Sequence, residues 1–190
     1  MSKIVTYLRK RALGRIEVIC GSMFSGKTEE LINRVKKSNK SYKVFKPDID
    51  TRNEKGKIKS HSKIEIDATT IDDINEILNY KDKFDVIGID EAQFFSNDIV
   101  SVSNSLANNG VRVIIAGLDM DFSGKPFGPM PFLMAIAEDV TKVHAKCVET
   151  GEPALYSFRK VDNDETVMIG EKKEYQPLSR KAFISKSKKS

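Results

Sequence analysis

The chain has few of the residues that build disulfide frameworks and metal clusters. Its 190 residues include two cysteines, two histidines and no tryptophan. Two cysteines are too few for a framework of disulfides, and Cys20 ends a segment that is typical of a buried strand. We therefore expect Cys20 and Cys147 to be reduced thiols.

Long apolar runs are also missing. No segment approaches the roughly 18 consecutive apolar residues of a membrane span. The N-terminal residues mix lysine and arginine with apolar side chains and contain no continuous apolar core of the kind found in signal peptides. We therefore expect a soluble, cytoplasmic protein.

The central part of the chain has no surplus of basic charge, although the formal net charge is +5. Residues 1–15 contain five basic side chains and no acidic one, and residues 180–190 contain five more basic side chains. The remaining residues, 16–179, hold 22 basic and 27 acidic side chains. Basic residues confined to the two chain ends are typical of solvated termini, so the charge pattern does not favour a nucleic-acid-binding core.

One motif carries the strongest functional signal, the sequence GSMFSGKT at residues 21–28. It fits the phosphate-binding pattern G-x-x-x-x-G-K-[ST] and lies between an apolar segment and a helical pattern. In such a loop, backbone N–H groups surround phosphate oxygens, so that Lys27 can reach the outer phosphates and the Thr28 hydroxyl can bind Mg²⁺. The alternative is a chance glycine-rich turn, against which the strand before it and the helix after it argue. The motif predicts a nucleotide site.

Apolar periodicity predicts alternating strands and helices before residue 118. The expected strands are 15–20, 42–45, 84–90 and 111–117. One helix should begin at Thr28, a second should carry apolar positions from Ile71 to Leu78, and a third should run from a cap at Ser96 to a stop at Gly110. Residues 48–62 are polar and should form a loop. The connections are too long for hairpins, which predicts an α/β fold with a mostly parallel sheet covered by helices.

The pattern changes in the last third of the chain. Residues 118–131 contain three prolines and should form a loop at the carboxyl end of a strand, where ligand crevices of such sheets open. Short β-like runs at 140–143, 155–160 and 166–169 then predict a small β-ribbon. The expected organisation is a basic extension at 1–14, a P-loop nucleotide-binding domain at 15–139, a ribbon subdomain at 140–183 and a disordered tail at 184–190.

Asp90 closes a predicted strand, 84–90, that should lie beside the phosphate-loop strand, and Glu91 follows it. There Asp90 can hold Mg²⁺ through water while the Thr28 hydroxyl binds the ion directly. Glu91 follows where the strand ends, so its carboxylate can face the crevice in which a nucleophile would sit. The alternative for Glu91 is an ordinary surface acid. Together these residues predict a site for a Mg²⁺-nucleotide.

The sequence DEAQFF at residues 90–95, together with the phosphate loop, resembles the type II thymidine kinases. Further matches follow the second predicted strand, at Asp50-Thr51-Arg52 and Ser60-His61. Others lie in the proline-containing loop, at Leu118-Asp119, Phe122 and 125–128, and in the closing segment known as the lasso, at 167–170 and Tyr175. The resemblance covers about residues 15–183. It implies transfer of the γ-phosphate of ATP to the 5′-hydroxyl of thymidine or deoxyuridine in nucleoside salvage, with Glu91 as the catalytic base. The implied fold is a P-loop parallel sheet flanked by helices, with a small C-terminal β-ribbon and lasso subdomain.

The resemblance also assigns residues to binding sites. Those implied to contact ATP are Gly21, Ser22, Met23, Phe24, Ser25, Gly26, Lys27, Thr28, Asp50, Arg52, Asp90 and Gln93. Those implied to hold the nucleoside are Met23, Phe94, Leu118, Phe122, Thr166, Val167, Met168, Ile169, Gly170 and Tyr175. The implied partners are small molecules, without nucleic acid or a membrane. Members of the family are commonly tetramers, so we expect a homotetramer.

The sequence departs from the family pattern at its structural zinc site. The family usually ties the base of the lasso with two C-x-x-C pairs. The corresponding positions here are Cys147, Thr150, Ser179 and Ala182, of which only the first supplies a zinc ligand. Tetrahedral structural zinc takes four cysteine or histidine ligands, and His144 is expected to be structural or to face solvent. We therefore predict that structural zinc is absent and that packing of the ribbon holds the lasso instead.

Two other functions are open to a chain with these motifs. A nucleic-acid-stimulated P-loop ATPase would also carry Asp-Glu-Ala at a strand end, and it would suit the basic tails. A helicase motor, however, needs two lobes, and the tails offer only Tyr7 and Phe183 for stacking on bases. A nucleotide-binding regulator without catalysis is the second alternative, and the complete set of phosphoryl-transfer residues argues against it.

Overall fold

The computed structural model describes residues 12–50, 56–59, 64–160 and 174–188. The first eight strands in these ranges are β1 Arg15–Cys20, β2 Tyr42–Pro47, β3 Lys57–Lys59, β4 Glu65–Asp67, β5 Thr69–Ile71, β6 Val86–Ile89, β7 Arg112–Gly117 and β8 Asp139–Lys142. Six of them form one sheet in the order β5-β2-β6-β7-β1-β8, and every neighbouring pair is parallel. The α/β fold predicted from the alternation of strands and helices is confirmed.

Helices cover both faces of this sheet, which is why its central strands are apolar on both sides. The α-helices in this part are α1 Lys27–Lys37, α2 Asp98–Asn108 and α3 Met130–Ile136. On one face α1 buries Leu31, Ile32 and Val35, and α2 and α3 pack on the other face. A fully buried leucine or isoleucine contributes about 1.5–3 kcal/mol, so buried apolar side chains of this kind hold the three helices against the sheet. No helix in the described ranges is long and apolar enough to cross a membrane.

Three local predictions between β2 and α2 need correction. The helix expected to include Ile71 is a 3₁₀ helix, Ile74–Tyr80, because Ile71 pairs with β2 and Asp73 then caps the helix by accepting from the Asn75 N–H. The expected loop at 48–62 includes β3, which forms a hairpin with β4. The α2 helix begins at Asp98, after Asn97, although the Ser96 hydroxyl does accept from the Asp98 N–H.

The start of the ribbon was predicted wrongly. The run at 140–143 belongs largely to β8, which extends the main sheet parallel to β1. Backbone hydrogen bonds from Glu138 to Ile16 and from Val143 to Cys20 continue this pairing at both ends. A short run of alternating residues has the same pattern at a sheet edge as in a ribbon, so periodicity alone did not separate the two.

The ribbon itself consists of two short antiparallel pairs. Its strands are β9 Ala145–Lys146, β10 Pro153–Ala154, β11 Tyr156–Arg159 and β12 Tyr175–Leu178. The β9 strand pairs with β10, and β11 pairs with β12. A last helix, α4 Arg180–Ser187, follows, so the disordered tail predicted from residue 184 is wrong as far as residue 187. The α4 helix is held by the Phe183 ring, which stacks on Tyr156 with centroids 4.2 Å apart.

Candidate functional site

The phosphate loop joins β1 to α1 at the carboxyl edge of the sheet. The backbone takes positive φ angles at Gly21 (144°), Phe24 (64°) and Gly26 (88°). A Cβ atom on Gly21 would lie 2.1 Å from the carbonyl oxygen of Val143, so only glycine fits beside the end of β8. Turns of this kind form N–H-lined concavities that bind anions, as the motif predicted.

The residues expected to bind phosphate and metal lie together at this edge. The Lys27 ammonium donates to the carbonyl oxygen of Ser22 at 2.8 Å, so the Lys27 side chain folds back across the phosphate loop. The Thr28 hydroxyl donates to the Asp90 carboxylate at 3.1 Å. Carboxylate and hydroxyl oxygens at this spacing suit a hard divalent cation.

The route by which Asp90 reaches Thr28 differs from the prediction. The β6 strand that leads to Asp90 does not lie beside β1, because β7 separates them. The α1 helix packs across β7 and β6 as well as β1. Its first turn therefore carries Thr28 over the central strand to the end of β6.

Glu91 adopts an unusual backbone conformation at the end of β6. Its φ and ψ angles are 52° and 41°, a left-handed conformation that is uncommon for a residue other than glycine. The chain then turns into a 3₁₀ helix, Ala92–Phe94. Left-handed residues of this kind cost about 1–3 kcal/mol and concentrate at functional sites. The conformation supports Glu91 as a functional residue over an ordinary surface acid.

Gln93 fixes the carboxylate of Glu91. Its side-chain NH₂ donates to Glu91 Oε2 at 2.5 Å, and its Oε1 accepts from the Leu118 N–H at 2.9 Å. The Gln93 side chain is buried, and a Cβ atom on Gly117 would lie 2.9 Å from its Oε1. The amide thus ties Glu91 to the start of the loop after β7, a use that differs from the expected contact with ATP.

The loop after β7 forms a tight hairpin beside Glu91. Asp121 Oδ1 accepts from the N–H groups of Ser123 and Lys125, which closes the turn. The Phe127 ring meets Phe94 edge to face with centroids 5.6 Å apart. Phe94 and Leu118 were both expected to line the nucleoside pocket. Phe94 follows Gln93 in the chain, and the Leu118 N–H donates to the Gln93 side chain.

The ribbon contributes contacts to the phosphate loop that the sequence analysis missed. The Ser157 hydroxyl accepts from the Met23 N–H at 2.9 Å, and the Ser22 hydroxyl donates to the Ala154 carbonyl at 3.2 Å. Ser157 lies between two aromatic residues in β11. This alternation was the sequence signal that could have placed Ser157 on a polar face of the strand. A sequence separation of 134 residues between Met23 and Ser157 hid their contact.

The expected nucleoside residues Phe122 and Tyr175 are joined by Arg159. The guanidinium carbon of Arg159 lies 3.7 Å from the Phe122 ring centroid, and Arg159 Nε donates to the Tyr175 hydroxyl at 3.3 Å. Asp50 is buried at the end of β2, where its carbonyl accepts from the Lys46 ammonium. Six further predicted site residues lie outside the described residues: Arg52, Thr166, Val167, Met168, Ile169 and Gly170. The motif matches Thr51 and Ser60-His61 lie outside them as well.

The four positions that correspond to the zinc ligands lie side by side at the base of the ribbon. The Thr150 N–H donates to Cys147 Sγ at 3.4 Å, and the Thr150 hydroxyl donates to the Ser179 hydroxyl at 3.2 Å. Ser179 in turn caps α4 by accepting from the Ala182 N–H at 3.5 Å. Among the residues that the structure describes, no group of three or more His, Cys, Asp or Glu side chains could hold a metal ion.

The two cysteines have opposite electrostatic surroundings. Burial and the nearby Asp119 carboxylate raise the pKa of the Cys20 thiol to about 11. Burial also acts to raise the pKa of Cys147, but hydrogen bonds from Thr150 and from the backbone of Ser179 and Glu149 outweigh it and lower the pKa to about 6. Cys147 is therefore held as the hydrogen-bond acceptor of the cluster at the base of the ribbon.

Comparison with known proteins agrees with the site. A family model described as thymidine kinase matches residues 14–183. A thymidine kinase of Bacteroides fragilis is 56% identical over 176 residues, which cover 91% of this chain and 88% of the relative. A thymidine kinase of Rhodothermus sp. is 47% identical over 175 residues, which cover 90% of this chain and 82% of the relative. Among solved structures, a replication initiator DnaA bound to AMPPCP and single-stranded DNA matches 70% of this chain and 41% of its own, with a TM-score of 0.41 and 16% identity.

Proposed function

The chain belongs to the thymidine kinase family, and on that premise we propose that its crevice transfers the γ-phosphate of ATP to the 5′-hydroxyl of thymidine or deoxyuridine. The observation that carries this proposal is the contact between the Thr28 hydroxyl and the Asp90 carboxylate, which joins the phosphate loop to the acidic strand end beside Glu91. The product, dTMP, would enter DNA synthesis through pyrimidine salvage.

The phosphate loop and Asp90 form the donor half of the site. Backbone N–H groups of residues 21–28 would surround the phosphates, and Lys27 would exchange its bond to the Ser22 carbonyl for the outer phosphates. Thr28 would bind Mg²⁺ directly, and Asp90 would hold it through water. Magnesium, when bound, neutralises charge on the phosphates. Asp50 and Arg52 complete the proposed donor contacts.

Glu91 is the proposed catalytic base. An ordinary glutamate has a pKa well below neutral pH and is ionised there, so its carboxylate can accept the proton of the nucleoside hydroxyl. In phosphoryl transfer the transition state is loose and the proton leaves late, so the base mainly positions the hydroxyl and accepts its proton. A general base contributes about 10²–10⁴-fold to the rate.

The nucleoside would lie between the hairpin after β7 and the ribbon. The proposed contacts are with Met23, Phe94, Leu118, Phe122, Tyr175 and residues 166–170. Of these, Met23 lies on the phosphate loop and is bonded to the ribbon through Ser157. The ribbon would therefore join the acceptor half of the site to the donor half.

The test is an assay with ATP, Mg²⁺ and a panel of nucleosides. We expect phosphorylation of thymidine, of deoxyuridine or of both, and none of purine nucleosides. A parallel assay measures ATP hydrolysis with and without single-stranded DNA. Hydrolysis stimulated by DNA, without phosphorylation of any nucleoside, would replace the proposal with the ATPase function.

We also propose that the ribbon holds its shape without zinc. Structural zinc takes four nitrogen or sulfur ligands, whereas the cluster at the base of the ribbon offers one sulfur, two hydroxyls and a methyl group. The hydrogen bonds that link Cys147, Thr150 and Ser179 support this proposal, because they connect the same two chain segments that a metal would connect.

Metal analysis of the purified protein checks this proposal. We expect less than about 0.1 zinc per chain, together with activity that survives dialysis against a chelator and readdition of Mg²⁺ alone. A matched variant carries cysteine at positions 150, 179 and 182, and should bind one zinc per chain. One zinc per chain in the natural protein would refute the zinc-free ribbon.

Location and assembly follow the family resemblance. We propose a cytoplasmic enzyme that assembles as a homotetramer, since members of the family are commonly tetramers. Sedimentation should give the mass of four chains. A protein that sediments as a single chain while active would contradict the tetramer.

A further inference from the structure

Arg159 is a buried charged residue to which the sequence analysis assigned no role. Only 6% of its surface is exposed, although arginine is rarely buried unless it has specific partners. Its guanidinium carbon lies 3.7 Å from the Phe122 ring centroid and 5.6 Å from the Tyr175 ring centroid. Its Nε also donates to the Tyr175 hydroxyl. Both partners are aromatic residues of the proposed nucleoside pocket.

The strand register places Arg159 on the side of the ribbon that faces the phosphate loop. Side chains alternate along β11, so Ser157 and Arg159 share one face. Ser157 on that face accepts from the Met23 N–H. Tyr156 and Phe158 lie on the opposite face, where both contact the Phe183 ring of α4. The face of β11 that carries Tyr156 and Phe158 is thus apolar, and the face that carries Ser157 and Arg159 is polar.

The pairing with β12 completes this arrangement. Arg159 lies directly opposite Tyr175 in the antiparallel register, so their side chains emerge on the same face. Phe122 comes from a different segment, the hairpin after β7. The guanidinium therefore connects two segments of the chain that do not pair with each other.

The chemistry of a guanidinium suits this position. It is planar and weakly hydrated, it stacks on aromatic faces, and it can donate a hydrogen bond in its plane at the same time. A lysine would keep the charge but could not stack its ammonium in this way. The contact holds one aromatic ring by its face and the other by its hydroxyl.

We propose that Arg159 is a positioning residue that sets the affinity for the nucleoside by fixing Phe122 and Tyr175. It acts through these two side chains and does not touch the reacting atoms. The inference rests on the proposed function, because it needs the nucleoside to bind between the hairpin and the ribbon. The proposal adds Arg159, a ribbon residue, to the part of the site that would bind the nucleoside.

The experiment compares Arg159→Met and Arg159→Lys with the wild-type enzyme. We expect Arg159→Met to raise the KM for the nucleoside about tenfold, which corresponds to loss of a buried cation–π contact and its hydrogen bond, while kcat and the KM for ATP stay within about twofold. Arg159→Lys should lie between the two, with at least about a threefold rise. Thermal unfolding of each variant shows whether it folds.

Arg180→Met is the matched control. Arg180 lies over the Tyr156 ring on the α4 side of the ribbon, with its guanidinium carbon 5.4 Å from the centroid. The same substitution there removes an arginine–aromatic contact on the face of β11 opposite to Arg159. We expect its kinetic constants to match the wild type.

Four outcomes are distinguishable, of which three overturn the role of Arg159 and one overturns the proposed function. Unchanged nucleoside KM in a folded Arg159→Lys removes the role of the planar guanidinium. A rise in the KM for ATP in place of the nucleoside KM would place Arg159 at the phosphates. An inactive wild-type protein overturns the proposed function itself, whereas an active wild type with unaltered Arg159 variants overturns only the role of Arg159.

Discussion

At the scale of single residues, the orientation of Glu91 is set by hydrogen bonds to neighbouring residues, because Glu91 lies just beyond the end of β6. Its backbone is left-handed, and its carboxylate accepts from the Gln93 amide, whose oxygen accepts from the Leu118 N–H. A carboxylate that must meet a hydroxyl in one geometry gains from such fixed hydrogen bonds, because small displacements of a catalytic group slow the reaction strongly. Gln93 is therefore expected to act through Glu91.

Replacement of Gln93 by leucine tests this relation. The variant removes the hydrogen bond to a charged carboxylate, a contact of about 1.5–3 kcal/mol, so kcat should fall about 10–100-fold. The dissociation constant of ATP should stay the same, because the phosphate loop is untouched. Steady-state kinetics and an equilibrium ATP-binding measurement separate the two quantities. A normal kcat with weakened ATP binding would instead support the direct ATP contact predicted from the sequence.

The residues of the site differ in how far the sequence predicted them. Thr28, Asp90 and Glu91 could be identified because local motifs place them at strand and helix ends. Ser157 and Arg159 could not be identified, because their partners come from distant segments and no short motif marks them. The loss of three of the four expected zinc ligands could be read from the sequence, because it depends only on residue identity. The hydrogen bonds among these residues could be seen only in the structure.

At the scale of secondary-structure elements, one buried carboxylate, that of Glu17, connects β1, β7 and α1 through partly exposed arginines. Glu17 Oε1 accepts from Arg112 at 2.7 Å, its Oε2 accepts from Arg34 at 3.1 Å, and Arg15 lies 3.3 Å away. Burial alone would raise the pKa of Glu17, but hydrogen bonds and charge from Arg112, and then Arg34 and Arg15, outweigh it and hold the pKa below its ordinary value of 4.5. The ionised carboxylate thus stabilises the packing of α1 on the sheet.

This lowered pKa predicts a pH dependence of stability. Because the pKa is depressed in the folded state, the contribution of Glu17 is complete above the ordinary value of 4.5 and is lost as the pH falls through the folded-state value. Glu17→Gln should lower the free energy of unfolding by about 3 kcal/mol at pH 7, since it leaves the arginines without their central partner. Its deficit relative to the wild type should shrink in acid. Urea titrations at pH 7 and at a pH well below 4.5, where the carboxyl group becomes protonated, measure both values.

Glu30→Gln is the control for this prediction. Glu30 pairs with Arg34 at 2.7 Å one helical turn away, but its side chain is 39% exposed. An exposed pair of this type contributes about 0.3–0.5 kcal/mol, so the control should change stability little. A deficit of Glu17→Gln that is equal at both pH values would show that the charge of Glu17 is not its source.

The elements themselves were predicted best where apolar patterns are long. Four central strands and the helices α1 and α2 follow from such patterns, with boundaries shifted by a few residues. The edge strands were harder, because β5 and β8 are short and their neighbours in the sheet are distant in sequence. The assignment of 140–143 to the ribbon failed for this reason, as did the helix expected to include Ile71.

At the scale of the whole molecule, hydrogen bonds join the carboxyl edge of the sheet to the ribbon in the described residues, and the proposed site spans both. The sheet supplies the phosphate loop and the acidic strand end, and the ribbon reaches the loop through Ala154 and Ser157. The fold class could be predicted from the alternation of strands and helices around the phosphate-loop motif, and the reaction type from the family resemblance of residues 90–95 and the other matching segments. The mutual placement of sheet and ribbon depends on many weak contacts and could not be predicted.

The central claim is that this site performs phosphoryl transfer with Glu91 as its base. The most direct test is the rate of ATP-dependent phosphorylation of thymidine by the wild-type and Glu91→Gln enzymes, measured together with their ATP dissociation constants. We predict a rate about 10²–10⁴-fold lower in Glu91→Gln, with unchanged affinity for ATP. Equal rates in the two enzymes would contradict the account.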